Sequence, residues 1–186
     1  VLAAKEAMDE TGIELPIIVS NVYDRDCRTL SGSTPETMVA MLEGLRVSAV
    51  GVNCSLGPLE MKETIRRLCQ CASVPVLVKP NAGLPKVVNG QTVFDVNADE
   101  FVNAMAEIAD FGPEILGGCC GTNPEYISKT KARIGTKLLK NRKIENDDKN
   151  VVGCVSSNSQ IVYFGSNYRP VLIGERINPT GKKKFK

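Results

Sequence analysis

One unit recurs four times in residues 1–135: an apolar run rich in β-branched side chains, a loop with Gly, Pro or Asn, and a helical pattern. The apolar runs lack the polar–apolar alternation of half-exposed strands, which is typical of strands buried on both faces of a parallel sheet. The predicted strands are residues 15–21, 47–52, 75–79 and 113–117. The recurrence therefore predicts an α/β fold built on a parallel sheet.

A helix with a recognisable start follows each predicted strand. The start signals are N-capping side chains or a proline in the first turn, at Thr34–Pro35, Pro58, Asn97 with Glu100, and Asn123–Pro124. The positions that form the inward stripes are Met38, Met41, Leu42 and Leu45; Met61, Ile65, Leu68, Cys69 and Ala72; Phe101, Ala104, Met105 and Ile108; and Ile127, Thr130 and Ile134.

Four βα units suit either a doubly wound sheet or half of a (β/α)₈ barrel, because a complete barrel needs about 250 residues. Residues 137–150 are rich in charge and lack an apolar period, which is typical of a solvated linker. Residues 151–164 suit one or two short strands, and a new apolar strand begins after residue 168. The first residues read as the middle of a helix and the last ones stop where another element is due, so we expect a fragment of a longer chain.

Composition excludes several kinds of site. The chain has no histidine, which rules out Ser-His-Asp and Cys-His catalysis and any His-ligated metal. The formal charge of +2 gives no electrostatic reason to expect nucleic acid as a partner. We expect no membrane association, because no run of about 18 apolar residues occurs and the charged N-terminus is unlike a signal peptide.

Polar side chains follow three of the predicted strands. Cys54 comes directly after strand 47–52, Asn81 follows strand 75–79, and Cys119 and Cys120 follow strand 113–117. Because functional groups of parallel sheets collect at the carboxyl ends of the strands, we expect these three thiols and one amide to converge.

The adjacent cysteines can share one centre only if the backbone leaves β geometry, because neighbouring side chains of a strand point to opposite faces. Gly117, Gly118 and Gly121 supply that freedom. Three thiolates around Zn²⁺ leave a fourth position open, which is typical of a catalytic site. Such a site favours activation of a thiol, since a coordinated thiol is deprotonated.

The spacing alone leaves a metal site and structural thiols equally open. Cys69 and Cys71 lie two residues apart on a predicted helix, so they cannot face one centre and fit buried, unreactive thiols. Cys27, in a predicted loop, and Cys154, near the predicted linker, are interpreted as incidental. The odd number of cysteines and the parallel α/β pattern favour a reducing cytoplasm over a disulfide framework.

Three motifs resemble known families. The pair VNCS and GGCCGT resembles the zinc-dependent homocysteine S-methyltransferases, and GERINPTG after the linker resembles the start of a methyltetrahydrofolate (pterin) binding domain. Both in this order resemble the cobalamin-dependent methionine synthases. The resemblance implies that residues 1–136 are the C-terminal half of a homocysteine-binding (β/α)₈ barrel, that 137–168 are an interdomain linker, and that 169–186 begin the pterin-binding barrel.

The resemblance also implies the roles of individual residues. Cys54, Cys119 and Cys120 would be the zinc ligands, and Asn81 of PNAG would be the fourth ligand until homocysteine displaces it. Methylcobalamin, regenerated by methyltetrahydrofolate, would methylate homocysteine to methionine. The residues matching the pterin site are Glu175, Arg176 and Asn178. The other barrel half, the rest of the pterin domain and the cobalamin module would lie elsewhere in the same polypeptide, so we expect no turnover by this chain alone.

Three alternatives remain at this stage. A cobalamin-independent homocysteine methyltransferase would use betaine or S-methylmethionine as donor, but would have no need of the GERINPTG segment. A zinc-stabilised scaffold would have the fourth position permanently filled. A disulfide between Cys119 and Cys120 is the third alternative.

Overall fold

The computed structural model describes residues 1–135, 151–166 and 168–171, in which five helices and eight strands form. The helices are α1 (Leu2–Thr11), α2 (Pro35–Gly44), α3 (Pro58–Cys71), α4 (Ala98–Ala109) and α5 (Pro124–Ile134). The strands are β1 (Ile18–Asn21), β2 (Ala49–Asn53), β3 (Val76–Lys79), β4 (Pro85–Val88), β5 (Gln91–Phe94), β6 (Ile115–Leu116), β7 (Val151–Ser156) and β8 (Ile161–Gly165).

The predicted parallel sheet is confirmed. Its strands lie in the order β1-β2-β3-β6, and every neighbouring pair is parallel. In this sheet each strand pairs with the one before it in the chain, without a reversal of order. The carboxyl ends of all four strands therefore meet at one edge of the sheet.

The strands are shorter than the apolar runs that predicted them. The run 113–117 pairs only through Ile115 and Leu116, and the run 15–21 pairs only from Ile18. Pro16 precedes the first pair of β1 and has no N–H to donate to a neighbouring strand. In β6 the backbone contact with β3 reaches one residue further on each side, because the N–H groups of Glu114 and Gly117 donate to the carbonyls of Val76 and Val78. Burial is incomplete in the run 15–21, since Leu15 is 65% exposed and Ile18 is 49% exposed.

The core lies between the sheet and helices α2 to α4. The valines of the central strands, Val50, Val52, Val76 and Val78, are fully buried against these helices. All of the residues predicted as the stripes of α3 and α4 are buried: Met61, Ile65, Leu68, Cys69 and Ala72, and Phe101, Ala104, Met105 and Ile108.

The predicted stripes of α2 and α5 are partly wrong. Met41 is 38% exposed, and Val39 is buried together with Leu42. Because Met38 and Val39 are adjacent and both apolar, the sequence alone does not determine which face of α2 is buried. In the structure Val39 is on the buried face, and the helix begins with a capping box between Thr34 and Thr37. In α5, Ile127 is 43% exposed because this outer helix packs mainly against α4.

An ion pair joins the helices that cover the sheet. The guanidinium of Arg67 on α3 donates from Nε and Nη2 to the two carboxylate oxygens of Glu36 on α2, at 2.7 and 2.6 Å. Both side chains are partly buried. This two-pronged contact fixes α2 relative to α3 more specifically than apolar packing alone.

Two antiparallel hairpins accompany the parallel sheet. Strands β4 and β5 pair through a two-residue turn in which Asn89 and Gly90 both have positive φ, as a type I′ turn requires. This hairpin is absent from the sequence prediction. Strands β7 and β8 form the second hairpin within the predicted linker, where short strands were expected, and they lie against α2.

In the part of the chain that the structure describes, every helix is too short or too polar to cross a membrane.

The contrast between two isoleucines provides a test of the packing. Ile65 is fully buried on α3, whereas Ile127 on α5 is substantially exposed. We expect Ile65→Ala to lower the free energy of unfolding by about 2–5 kcal/mol, because it leaves a cavity in the core. The matched control Ile127→Ala should cost less than about 1 kcal/mol. Urea denaturation followed by circular dichroism measures both, and equal losses would contradict this packing.

Candidate metal centre

The three thiols that were predicted to converge lie together at the carboxyl edge of the sheet. Cys54 directly follows β2, and Cys119 and Cys120 follow β6. The Sγ atoms of Cys54 and Cys120 are 3.8 Å apart, and those of Cys119 and Cys120 are 3.9 Å apart. All three sulfurs lie within 4.8 Å of one another.

These separations fit a tetrahedral ion. With a Zn–S bond of about 2.3 Å, tetrahedral geometry places neighbouring sulfurs about 3.8 Å apart. A disulfide would need about 2.05 Å between the sulfurs, so the observed spacing of Cys119 and Cys120 is that of two separate thiols. Among the described residues, these three cysteines are the group of Cys, Asp or Glu side chains whose ligand atoms lie close enough together to hold a metal ion.

A left-handed turn directs Cys54 toward the other cysteines. Cys54 and Ser55 have φ values of 60° and 67°, a conformation that non-glycine residues rarely adopt twice in succession. The Cys54 N–H donates to the carbonyl of Lys79 at 3.1 Å, and the Leu56 N–H donates to the carbonyl of Cys54 at 2.8 Å. Backbone strain of this kind is concentrated at functional sites.

The turn that carries the adjacent cysteines is held from both sides. The Cys119 N–H donates to the carbonyl of Pro80 at 2.8 Å, which attaches the turn to the segment after β3. The carbonyl of Cys119 accepts from the Thr122 hydroxyl at 2.7 Å. Gly121, at φ +79°, then reverses the chain. The turn thus presents both thiols on the same side, which a strand could not do.

The two preceding glycines are needed because a side chain at either position would not fit, and not because of an unusual dihedral angle. Gly117 and Gly118 lack positive φ values, contrary to the sequence-based expectation. A Cβ on Gly118 would lie 2.8 Å from the Cβ of Thr122, closer than side chains approach, and one on Gly117 would press on the Lys79 side chain at 3.3 Å. These glycines therefore allow the turn to pack closely against its neighbours.

Asn81 lies beneath the cysteine turn and is only 3% exposed. Its Oδ1 atom accepts a hydrogen bond from the Cys120 N–H at 3.1 Å. An amide oxygen has two lone pairs, so one remains after this bond is made. Asn81 therefore holds the turn that carries Cys119 and Cys120, and a hydrogen bond from its side chain also helps to lower the pKa of the Cys54 thiol.

The thiols differ in how readily they ionise. Burial opposes ionisation of Cys54, but hydrogen bonds from the Ser55 N–H and from the thiols of Cys120 and Cys119 outweigh it and lower its pKa below the ordinary value. The neighbouring sulfurs of Cys54 and Cys119 raise the pKa of Cys120 to about 11. One thiolate thus opposes the next, and a bound cation would relieve this opposition.

The other cysteines lie apart from this cluster. Cys27 and Cys69 are buried, and burial raises the pKa of Cys71 to about 12, so these thiols fit inert packing roles. Cys154 lies on the β7–β8 hairpin. The residues predicted for pterin binding, Glu175, Arg176 and Asn178, lie outside the described residues.

Two contacts near the site were not predicted from the sequence. Thr122 holds the Cys119 carbonyl, and Phe94 at the end of β5 lies against Gly121. The Asn89–Gly90 dipeptide between apolar runs is a strong hairpin signal that would have located Phe94 at a hairpin base. No simple pattern marks Thr122.

Solved structures similar to this chain share its fold. The metallated form of the Escherichia coli homocysteine methyltransferase MmuM gives a TM-score of 0.54 at 23% identity, over 70% of this chain and 40% of that one. Its oxidized form gives a TM-score of 0.52 with the same identity and coverage. The likeness extends to the overall arrangement of the α/β fold.

Similarity in sequence is more informative. Methionine synthases from Mycobacterium leprae (strain TN) and Mycobacterium tuberculosis (strain H37Rv) are 34% and 33% identical to this chain across all of it. The chain spans only 16% and 15% of their respective lengths. The sequence profile of the homocysteine S-methyltransferases matches residues 1–134. The chain therefore belongs to the homocysteine S-methyltransferase family.

Proposed function

We propose that this chain carries the zinc centre of a homocysteine methyltransferase of the cobalamin-dependent methionine synthase type. The observation that carries the proposal is the spacing of the three thiols. Two of their sulfur–sulfur distances, 3.8 and 3.9 Å, are close to the distance between two sulfur ligands of a tetrahedral zinc ion. Cys120 is exposed, so the cluster is open to an incoming substrate on that side. Family membership supports homocysteine as that substrate.

The reaction needs a deprotonated sulfur. A free thiol has a pKa of about 8.5 and is ionised only to a few per cent near neutral pH, although the thiolate is the nucleophile. Zinc held by Cys54, Cys119 and Cys120 would supply an open coordination position at which the homocysteine sulfur loses its proton. The thiolate would then bond to the methyl carbon of the donor, and the bond from that carbon to the donor would break with its electron pair left on the donor, to give methionine.

Three cysteine ligands suit this reaction better than activation of water. Three thiolates around a divalent cation give the site a net negative charge, which keeps electron density on an additional sulfur ligand. The buried Asn81 amide provides a neutral oxygen beside the cluster. We assign it the fourth position in the substrate-free state, and its weaker donor atom makes displacement by a thiolate favourable.

The methyl donor and the domain division follow from the methionine synthase likeness. Methylcobalamin would supply the methyl group and methyltetrahydrofolate would regenerate it. Residues 1–136 would form the C-terminal half of the homocysteine barrel, 137–168 the linker and 169–186 the start of the pterin domain. Sequential parallel strands and identity with methionine synthases along the whole chain support this division. A reducing compartment such as the cytoplasm would keep the three thiols free.

Removing one ligand tests the role of the cluster. We expect Cys54→Ser to lose at least about ten-fold in zinc affinity, because a hydroxyl stays protonated where a thiol ionises. The fold should persist, since Cys54 is not part of the apolar core. Zinc titration with a chromophoric chelator measures affinity, and circular dichroism reports the fold.

Cys154→Ser is the matched control, because it removes a thiol far from the cluster in sequence and should leave zinc affinity unchanged. Equal zinc affinity in Cys54→Ser and the wild type would refute the assignment. Unfolding of Cys54→Ser together with zinc loss would favour the structural scaffold.

Zinc affinity should also depend on pH. The raised pKa of Cys120 means that this thiol carries a proton at neutral pH in the absence of metal. Zinc must displace that proton, so the apparent affinity should rise as the pH is raised from about 6.5 to 8.5. Calorimetric titration in buffers of different ionisation enthalpy measures the protons released, and a pH-independent affinity would contradict this view.

A further inference from the structure

The β4–β5 hairpin stands beside the cysteine cluster. It begins four residues after Asn81 and ends just before the loop that leads to α4. The register pairs Pro85 with Phe94 at its base, and the Asn89–Gly90 turn forms its tip. The hairpin thus interrupts the βα unit at the edge of the sheet that carries the thiols.

Phe94 covers the turn that holds two of these thiols. A Cβ built on Gly121 would overlap the Phe94 ring and would lie 2.8 Å from the Cβ of Phe94. Gly121 directly follows Cys120 and has φ +79°, so both its conformation and its contact exclude a side chain. The phenyl ring therefore lies directly on the backbone at the point where the cysteine turn reverses.

Hydrogen bonds connect the hairpin base to the same turn. The Ala82 N–H donates to the carbonyl of Cys120 at 2.9 Å, and the Val96 N–H donates to the carbonyl of Ala82 at 3.0 Å. The Tyr126 hydroxyl donates to the carbonyl of Val96 at 2.9 Å. These bonds link both ends of the hairpin to the Cys120 backbone and to α5.

Asp95 fixes the other side of the hairpin base. Its carboxylate accepts from the Leu84 N–H at 3.0 Å and pairs with the Lys86 ammonium at 2.9 Å. Gly83 allows this close approach, because a Cβ there would overlap the Asp95 carboxylate. The backbone that follows Phe94 is thus attached to the other strand of the hairpin, while the half-buried Phe94 ring lies against Gly121.

We propose that Phe94 is a positioning residue for the metal centre: its ring, seated on Gly121, fixes the backbone angle at which Cys119 and Cys120 present their sulfurs. The inference rests on the zinc site of the proposed function and adds a residue from outside the ligand set. The exposed faces of the hairpin do not take part in this contact. Groups that orient metal ligands affect affinity by about 10- to 100-fold, although they do not touch the ion.

The test replaces Phe94 in the full chain and uses Zn²⁺ and Co²⁺ as probes. We expect Phe94→Ala to lower zinc affinity by about ten-fold and to change the energy and intensity of the visible Co²⁺ bands, because the cysteine turn relaxes. Phe94→Tyr keeps the ring and should restore wild-type affinity and spectrum. Phe94→Leu keeps an apolar side chain without the ring and should fall between them.

Val93→Ala is the matched control, since Val93 is on the same strand and its side chain points to the other hairpin face. It should bind both metals like the wild type. Wild-type affinity and cobalt spectrum in Phe94→Ala, or in Phe94→Leu if the alanine variant does not fold, would overturn the inference. A lower melting temperature with an unchanged cobalt spectrum would also overturn it, because the residue would then be only structural. Failure of the wild type itself to bind zinc would instead refute the proposed function.

Discussion

The parallel register of β2, β3 and β6 is the constraint on which the cluster of Cys54, Cys119 and Cys120 depends. It pairs Asn53 with Lys79 and Val78 with Leu116, so the cysteines emerge from strands that are separated by β3. Two strand spacings amount to about 9–10 Å, far more than the 3.8 Å between the sulfurs of Cys54 and Cys120. The left-handed turn at Cys54 and the cysteine turn attached to Pro80 close that gap above the end of β3.

The electrostatic interactions among the three converging thiols favour binding of a cation. Three thiols within 4.8 Å of one another hinder each other's full ionisation, as the opposite pKa shifts of Cys54 and Cys120 indicate. A divalent cation removes the hindrance and stabilises all three as thiolates. The buried core below the sheet edge and the Arg67–Glu36 ion pair between the helices support the strands that hold the turns. The site therefore combines rigid support with a charge arrangement suited to a metal ion.

Much of this arrangement was predictable from the sequence. The apolar runs predicted parallel strands because burial on both faces leaves a distinct composition, and strand ends located Cys54, Asn81 and the adjacent cysteines at one edge. The helical stripes of α3 and α4 were confirmed because each has a single apolar face. That of α2 was ambiguous because Met38 and Val39 are both apolar.

Other features depended on tertiary contacts that local patterns do not encode. The positive φ of Cys54 and Ser55 is imposed by the turn between β2 and α3, since neither residue type favours it. Gly118 is required by the nearby Thr122 side chain, a contact that only the folded turn creates. The hairpin with Phe94 did carry a sequence signal in Asn89–Gly90, but its contact with Gly121 is visible only in three dimensions.

X-ray absorption at the zinc edge tests the central claim most directly, because it counts the sulfur atoms bound to the metal. We predict three sulfur ligands at about 2.3 Å and one oxygen or nitrogen ligand in the zinc-loaded chain without substrate. Addition of homocysteine should replace the lighter ligand with a fourth sulfur. A zinc ion bound by fewer than three sulfurs, or four sulfurs already present before homocysteine is added, would contradict the account.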